Sequence, residues 1–198
     1  MAKGTLMLLP KGPAVYPALN RPDTKFDELG AYKADVAVSA DEAKDIIAAL
    51  QKVAKAHMGK ALPKASNSCW YVETDDEGEE TGRIVFKCRV KNRTRKDGKL
   101  WDRRPMVIDA KKNEMPTDVN VWGGSVIRVQ VEIYEWNAGG KKGISLQPVV
   151  VQVIKLVSGS GPDLSAFGEE DGYEVEDDDT AADTAPFSDE SGVDDDDY

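Results

Sequence analysis

The chain has 198 residues, with 36 acidic and 26 basic side chains, and a formal net charge of −10 at pH 7. It has a single histidine, and its two cysteines form no CxxC motif, so neither a disulfide scaffold nor a zinc site is predicted. No apolar run approaches the ~18–20 residues that span a bilayer, and no signal peptide is evident, so we expect a cytoplasmic protein with no membrane contact and no cofactor.

The charge is divided between two parts of the chain. Residues 163–198 contain 16 acidic residues and no Lys or Arg, whereas residues 1–162 contain 26 basic and 20 acidic residues, a net charge of +6. A Ser-Gly-Ser-Gly segment lies at the boundary. The sequence therefore predicts a folded domain at 1–157, a flexible linker at 158–162 and a disordered acidic tail at 163–198.

The first third of the chain predicts two strands and one helix. Residues 5–9 are apolar and predict an edge strand ended by Pro10, while residues 11–22 are rich in Pro and Gly and predict an extended loop. Residues 32–38 alternate weakly and predict a strand. Residues 39–58 predict a helix that covers one end of a barrel, because Ser39 and Glu42 form a capping box and Gly59 ends an apolar stripe.

The remaining elements are strands. Residues 69–73 predict a short strand, followed by an acidic hairpin tip at 75–80. Residues 126–136 and 144–157 predict two long strands around a glycine-rich loop, and the apolar run at 149–151 predicts that both faces of the last strand are covered. Five or six short strands and one helix predict a mainly β, OB-like barrel, closed or nearly closed, with a capping helix.

The stretch from Arg83 to Arg104 is the most informative, because ten of its residues are basic and two are acidic. Apolar residues occupy its even positions from 84 to 90, and basic residues occupy the odd positions from 87 to 95. Side chains alternate across a strand, so one face is predicted to be apolar and the other cationic. A solvated face is one interpretation; a nearly single-signed row favours a polyanion such as nucleic acid.

The turn after this row decides where Trp101 lies. Asp97-Gly98 predicts a tight turn, and residues 100–108 predict a returning strand. A two-residue loop pairs Trp101 with Thr94 on the apolar side, whereas a bulged turn moves Trp101 and Arg103 to the cationic face. The sequence leaves both alternatives open.

Binding of single-stranded nucleic acid needs cations along the backbone and rings for unstacked bases. For Tyr134 and Trp136, which share a polar register with Arg128, packing is as consistent as binding, and only one of the adjacent Trp70 and Tyr71 can face a groove. The candidate stacking residues are Tyr71, Trp101, Tyr134 and Trp136. The candidate cations are Lys87, Arg89, Lys91, Arg93, Arg95, Arg103, Arg104 and Arg128.

The end of the tail combines anions with a ring: Asp194, Asp195, Asp196, Asp197 and Tyr198. Such a segment crudely imitates a nucleotide, so it is predicted to occupy the DNA groove when DNA is absent, or to dock on basic patches of partner proteins. A purely solubilising role is the alternative.

No enzyme motif of the GxSxG, Walker A or HExxH type is present, so a non-catalytic protein is predicted. The first alternative is a double-stranded nucleic-acid or RNA chaperone that uses the same face. The second is a metal-dependent nuclease, for which Asp102 and Asp109 are available carboxylates.

Several short segments together resemble the single-stranded DNA-binding proteins of tailed bacteriophages, the OB-fold type with an acidic C-terminal tail. The matching segments are Gly123-Gly124-Ser125, Tyr134-x-Trp136-Asn137, residues 143–147, Val151-x-Val153, the entry from Tyr16-Pro17 to Tyr32, and Asp194 to Tyr198. The family's tail commonly ends in Phe where this chain has Tyr. The resemblance implies single-stranded DNA as partner, roles in replication and strand annealing, and tail contacts with a polymerase, helicase or primase. A homodimer is a further assembly to consider.

Overall fold

Strands dominate residues 4–157, the part of the chain that this computed structural model describes. The predicted linker and acidic tail lie outside these residues. The helix α1 covers Ala40–Met58. The strands are β1 Thr5–Leu8, β2 Gly12–Asp23, β3 Ala31–Ser39, β4 Trp70–Thr74, β5 Glu80–Phe86, β6 Arg89–Lys91, β7 Arg93–Thr94, β8 Leu100–Trp101, β9 Met106–Ile108, β10 Val126–Ala138 and β11 Lys141–Lys155.

Nine of these strands form one mixed sheet in the order β4-β5-β3-β2-β10-β11-β9, with β1 paired to β10 and β6 paired to β3. Neighbours are antiparallel except β9 and β11, which run parallel. No continuous ladder closes the sheet, but one parallel bridge joins Cys88 to Leu146. The architecture is therefore OB-like and mainly β, as predicted, although it has more strands than the five or six expected.

The capping helix is confirmed in detail. The Ser39 side chain accepts a hydrogen bond from the Glu42 backbone, the Glu42 carboxylate faces the Ser39 amide, and Gly59 ends the helix in the left-handed conformation. Ala43, Leu50 and Ala54 are fully buried on the side that faces the sheet. The helix thus seals one end of a core built from the inner faces of β3, β5, β10 and β11.

Three predicted segments differ from the structure in their secondary structure or length. Residues 11–22 are not a loop: most of them lie in β2, which pairs with β3 despite its prolines. The predicted return strand 100–108 is wrong, because only Leu100 and Trp101 pair with β7, while Met106–Ile108 pairs with β11. The glycine-rich loop is short, since Ala138 pairs with Lys141 and only Gly139 and Gly140 turn.

The last strand is also less covered than predicted. The pairing of β10 with β11 shifts register between Gln130 and Val131, opposite Val150 and Pro148. Val149 is the extra residue in this bulge, and its side chain is 38% exposed. The expectation that both faces are covered at this position is therefore wrong.

Candidate nucleic-acid interface

The basic stretch follows β3 as a single line. Phe86 pairs with Val36, Arg89 with Lys33 and Lys91 with Ala31, so β5 and β6 keep one register across the residues between them. Cys88 and Val90 are buried, whereas Arg89 and Lys91 are exposed and Lys87 is half-buried. The predicted alternation is confirmed here, and Lys87, Arg89, Lys91 and Arg93 form what we call the cationic row. Residues two apart on a strand lie about 6–7 Å apart, so the row spans roughly 20 Å.

Carboxylates from β3 and from the β2–β3 connection hold two members of the row. The Arg89 guanidinium donates to Asp35 Oδ2 at 2.8 Å, and Lys91 Nζ lies 2.8 Å from Asp27 Oδ2. The hydrogen bond from Lys91 lowers the pKa of Asp27, so this carboxyl is an anion at neutral pH. A phosphate that approaches Lys91 therefore has to compete with a carboxylate already in place.

Asp35 is the most buried of these carboxylates, at 4% exposure. Its Oδ1 accepts the Cys88 backbone N–H at 2.9 Å, in addition to the Arg89 contact. Burial raises the pKa of Asp35, while the hydrogen bond from Arg89 opposes that shift. The side chain thus links the middle of β3 to the position where β5 passes into β6.

A ring and a cation meet at the first end of the cationic row. Lys87 Nζ lies 5.9 Å from the centroid of the Tyr71 ring, and both side chains are half-buried. Tyr71 lies in β4, and Lys87 directly follows the neighbouring β5. Burial lowers the pKa of Lys87, with the nearby Arg89 adding to the effect. This pair offers a π surface beside a positive charge.

A second group of rings and cations lies at the other end, and we call it the ring–cation cluster. Arg93 Cζ lies 5.7 Å from the Tyr134 ring centroid, and Arg103 Cζ lies 5.2 Å from that of Trp101. Arg103 is held further by a 2.6 Å hydrogen bond from its guanidinium to Gln147 Oε1. Burial lowers the pKa of Arg103, and Arg93 contributes in the same direction, so the two guanidinium groups are close enough to repel.

The hairpin turn settles the alternative that the sequence left open for Trp101. Arg93 pairs with Trp101 and Thr94 with Leu100, and the Arg95 N–H donates to the Lys99 carbonyl. Gly98 has φ +81°, so the loop has three residues and Trp101 shares the face of Arg93. The bulged alternative is the one observed.

Four other predicted site residues belong to neither group. Arg95 is exposed in the hairpin, two residues beyond Arg93 of the row, where a phosphate could reach it. Arg104 is half-buried and donates from Nε to the Leu19 carbonyl at 2.9 Å. Arg128 lines a cavity of about 180 Å³ with Leu8, and its buried Nε has no hydrogen-bond partner among residues 4–157. Trp136 packs on Gly143, where an added Cβ would lie 2.1 Å from its ring.

Sequence patterns did not reveal the carboxylates that hold the row. Asp27 and Asp35 pair with Lys91 and Arg89 of the row, and Asp23 pairs with Lys33 of the neighbouring β3. Asp35 alone carried a signal, since it is an acidic residue within the buried run of β3. The ion pairs of Asp23 and Asp27 depend on how the β2–β3 connection folds back, which local sequence does not encode.

Residues 4–157 contain neither a metal-binding cluster nor a membrane-spanning helix. Between Gly4 and Val157, no group of three or more His, Cys, Asp and Glu side chains is arranged to hold a metal ion. In the same part of the chain, no helix combines the length and apolar character needed to cross a membrane.

Comparisons with solved structures place this fold among bacteriophage proteins. No protein-family model and no curated protein sequence matches the chain. The structure is similar to that of gp2.5, a single-stranded DNA-binding protein encoded by bacteriophage T7, with 19% identity, a TM-score of 0.59, and 87% of this chain and 99% of that chain covered.

The single-stranded DNA-binding protein of bacteriophage Enc34 is also similar, with 18% identity, a TM-score of 0.56, and 81% of this chain and 88% of that chain covered. The same Enc34 protein in complex with single-stranded DNA gives a TM-score of 0.57 over 77% of this chain and 88% of that chain, at 18% identity. At these identities the likeness establishes a shared fold.

Proposed function

We propose that this chain is a non-catalytic protein that binds single-stranded DNA with little sequence preference. The observation that carries the proposal is the cationic row with a ring and a cation at each end, Lys87 with Tyr71 and Arg93 with Tyr134. The row supplies charge for a backbone, and the rings supply flat surfaces for unpaired bases.

The physical chemistry of the row fits a single strand. Each stacked base contributes about 1–3 kcal/mol with little preference among bases, because every base has a π face. Each phosphate that is neutralised contributes about −0.7 to the log–log dependence of affinity on salt for single strands. A site that combines both terms binds many sequences and weakens as salt rises.

The comparisons add support from outside the chain. T7 gp2.5 and the Enc34 protein are described as single-stranded DNA-binding proteins, and one Enc34 structure contains single-stranded DNA. By analogy, we assign this chain to phage DNA replication and recombination in the host cytoplasm. The acidic tail, with Asp194 to Asp197 and Tyr198, would regulate access to the row and dock replication proteins.

The test is a fluorescence titration with oligo-dT at several salt concentrations, using the tryptophans as the signal. The variant pair Lys87→Gln and Arg93→Gln removes two row cations for which the structure gives no carboxylate partner among residues 4–157. Arg89 is left in place, since its removal would strand the buried Asp35 carboxylate. We expect weaker binding and a salt slope flatter by about 1.4.

The matched control is Lys52→Gln with Lys60→Gln, which removes the same charge from exposed positions in and after the helix. An unchanged slope in the row variant, or an equal change in the control, would contradict the assignment of the row. Competition by duplex DNA in the same titration separates single-strand from double-strand binding. A chain ending at Pro162 should bind more tightly at low salt if the tail competes for the row.

A further inference from the structure

Tyr16 combines high exposure with an unfavourable backbone conformation. Its side chain is 87% exposed, and its φ is +44°. Only one other residue besides glycine, Lys112, has a positive φ between residues 4 and 157. A positive φ is unfavourable for a bulky L-residue, and an exposed ring makes few packing contacts that could offset this cost. The fold itself therefore gains little from a tyrosine at this position.

A bulge in β2 produces this conformation. Val15 pairs with Asp35 and Ala18 pairs with Lys33, so two residues of β2, Tyr16 and Pro17, face one residue of β3. In a regular strand Tyr16 would point to the opposite side from Val15. The bulge redirects the ring outward, which is how such irregularities commonly re-aim a side chain.

The bulge lies on the flank of the cationic row opposite to Tyr71. The strand order β4-β5-β3-β2 puts Tyr71 on one side of Lys87 and Arg89, and the Tyr16 bulge on the other. The two β3 residues that pair on either side of the bulge both lie at Arg89. Asp35 accepts a hydrogen bond from its guanidinium, and Lys33 pairs with Arg89 across the strands. Burial raises the pKa of Tyr71, the Asp35 and Glu73 carboxylates add to this shift, and Arg89 opposes it, so Tyr71 lies within the field of the row and of its carboxylates.

We propose that Tyr16 is a base-stacking residue, and that it forms with Tyr71 a pair of rings on either side of the Lys87–Arg89 part of the row. The ligand is an unpaired base of a single strand whose phosphates contact the row. This inference rests on the proposed function and extends it to a residue outside the basic stretch. The strained backbone is then explained, because it presents the ring to the strand.

The test uses the full chain and substitutions that suit a positive φ. Tyr16→Gly and Tyr16→Asn both tolerate this conformation, so the thermal unfolding midpoint should stay close to that of the unaltered protein. Loss of one stacked base predicts oligo-dT binding about 5- to 150-fold weaker. The salt slope should not change, because no charge is removed. Tyr16→Phe keeps the ring and should bind like the unaltered protein.

A strand with abasic sites and the same number of phosphates provides a ring-specific control. The difference between the unaltered protein and Tyr16→Gly should largely disappear on this ligand, since no base is left to stack. Two results would overturn the inference while leaving the proposed function intact: Tyr16→Gly and Tyr16→Asn binding oligo-dT at full affinity, or Tyr16→Phe losing as much as Tyr16→Gly. Failure of the unaltered protein to bind oligo-dT would overturn both.

Discussion

Asp27 offers the sharpest test of how the cationic row is balanced. Its carboxylate lies 2.8 Å from Lys91 Nζ, and the hydrogen bond lowers its pKa, so it competes with phosphate as an anion. The Asp27→Asn substitution removes this anion but keeps the side-chain oxygen that accepts the Leu29 N–H at 3.1 Å. The turn should therefore survive, while Lys91 becomes available to a phosphate.

The size of the effect follows from one additional phosphate contact. Such a contact steepens the salt slope by about 0.7, so the advantage of Asp27→Asn over the unaltered protein should be about 2.6-fold larger at about 50 mM than at about 200 mM salt. Titration with oligo-dT at four or more salt concentrations measures this slope directly. The substitution thus predicts a gain of affinity from the loss of an ion pair.

Asp41→Asn is the matched control. Asp41 pairs with Lys44 at 2.7 Å in the first turn of the helix, so the substitution changes the net charge equally. The helix follows β3, which runs from Ala31 opposite Lys91 to Ser39 just before the helix, a distance of about 27 Å. An unchanged slope for Asp27→Asn, or an equal steepening by Asp41→Asn, would show that Asp27 does not compete with phosphate for Lys91.

Two other substitutions test the packing around the site. Burial raises the folded-state pKa of Asp35, so its contribution to stability is present at low pH and is lost as the pH rises through that pKa. In urea unfolding, the stability of the unaltered protein relative to Asp35→Asn should therefore fall as the pH rises above about 4, the usual pKa of an unfolded Asp, and a rise would contradict this. Gly143→Ala would put a Cβ 2.1 Å from the Trp136 ring and should destabilise the fold by roughly 1–3 kcal/mol, whereas Gly123→Ala, with its nearest atom at 3.9 Å, should not.

Local signals in the sequence were sufficient for the elements that depend on local interactions. The capping box of Ser39 and Glu42 defines the start of the helix, since both partners lie within one turn. The alternation in β10 predicted its buried face correctly at Ile127, Val129 and Val131, because successive side chains of a strand point to opposite faces of the sheet. The same logic identified the outward face of the cationic row.

Pairings between distant segments were not accessible in this way. Met106–Ile108, the second half of the predicted return strand, pairs in parallel with β11 instead of continuing the hairpin. Nothing in the sequence near residue 106 indicates this pairing. The face on which Trp101 lies depends on the turn type, because a one-residue change of register moves a side chain to the other face. The β2 bulge that exposes Tyr16 lies in a Pro-rich segment that resembles a loop.

The carboxylates also determine how many cations a DNA strand would meet. A cationic face repels itself, and Asp27 and Asp35 reduce that repulsion by holding Lys91 and Arg89. Arg104 and Arg128 lie elsewhere in the fold. Of the eight predicted cations this leaves four for phosphate, which are Lys87, Arg93, Arg95 and Arg103. The salt slope of the unaltered protein should therefore be near 3, about half the value that eight contacts would give. A slope near 4, from six contacts, would mean that DNA displaces the carboxylates from Arg89 and Lys91, and that the ion pairs in the structure are only a resting arrangement.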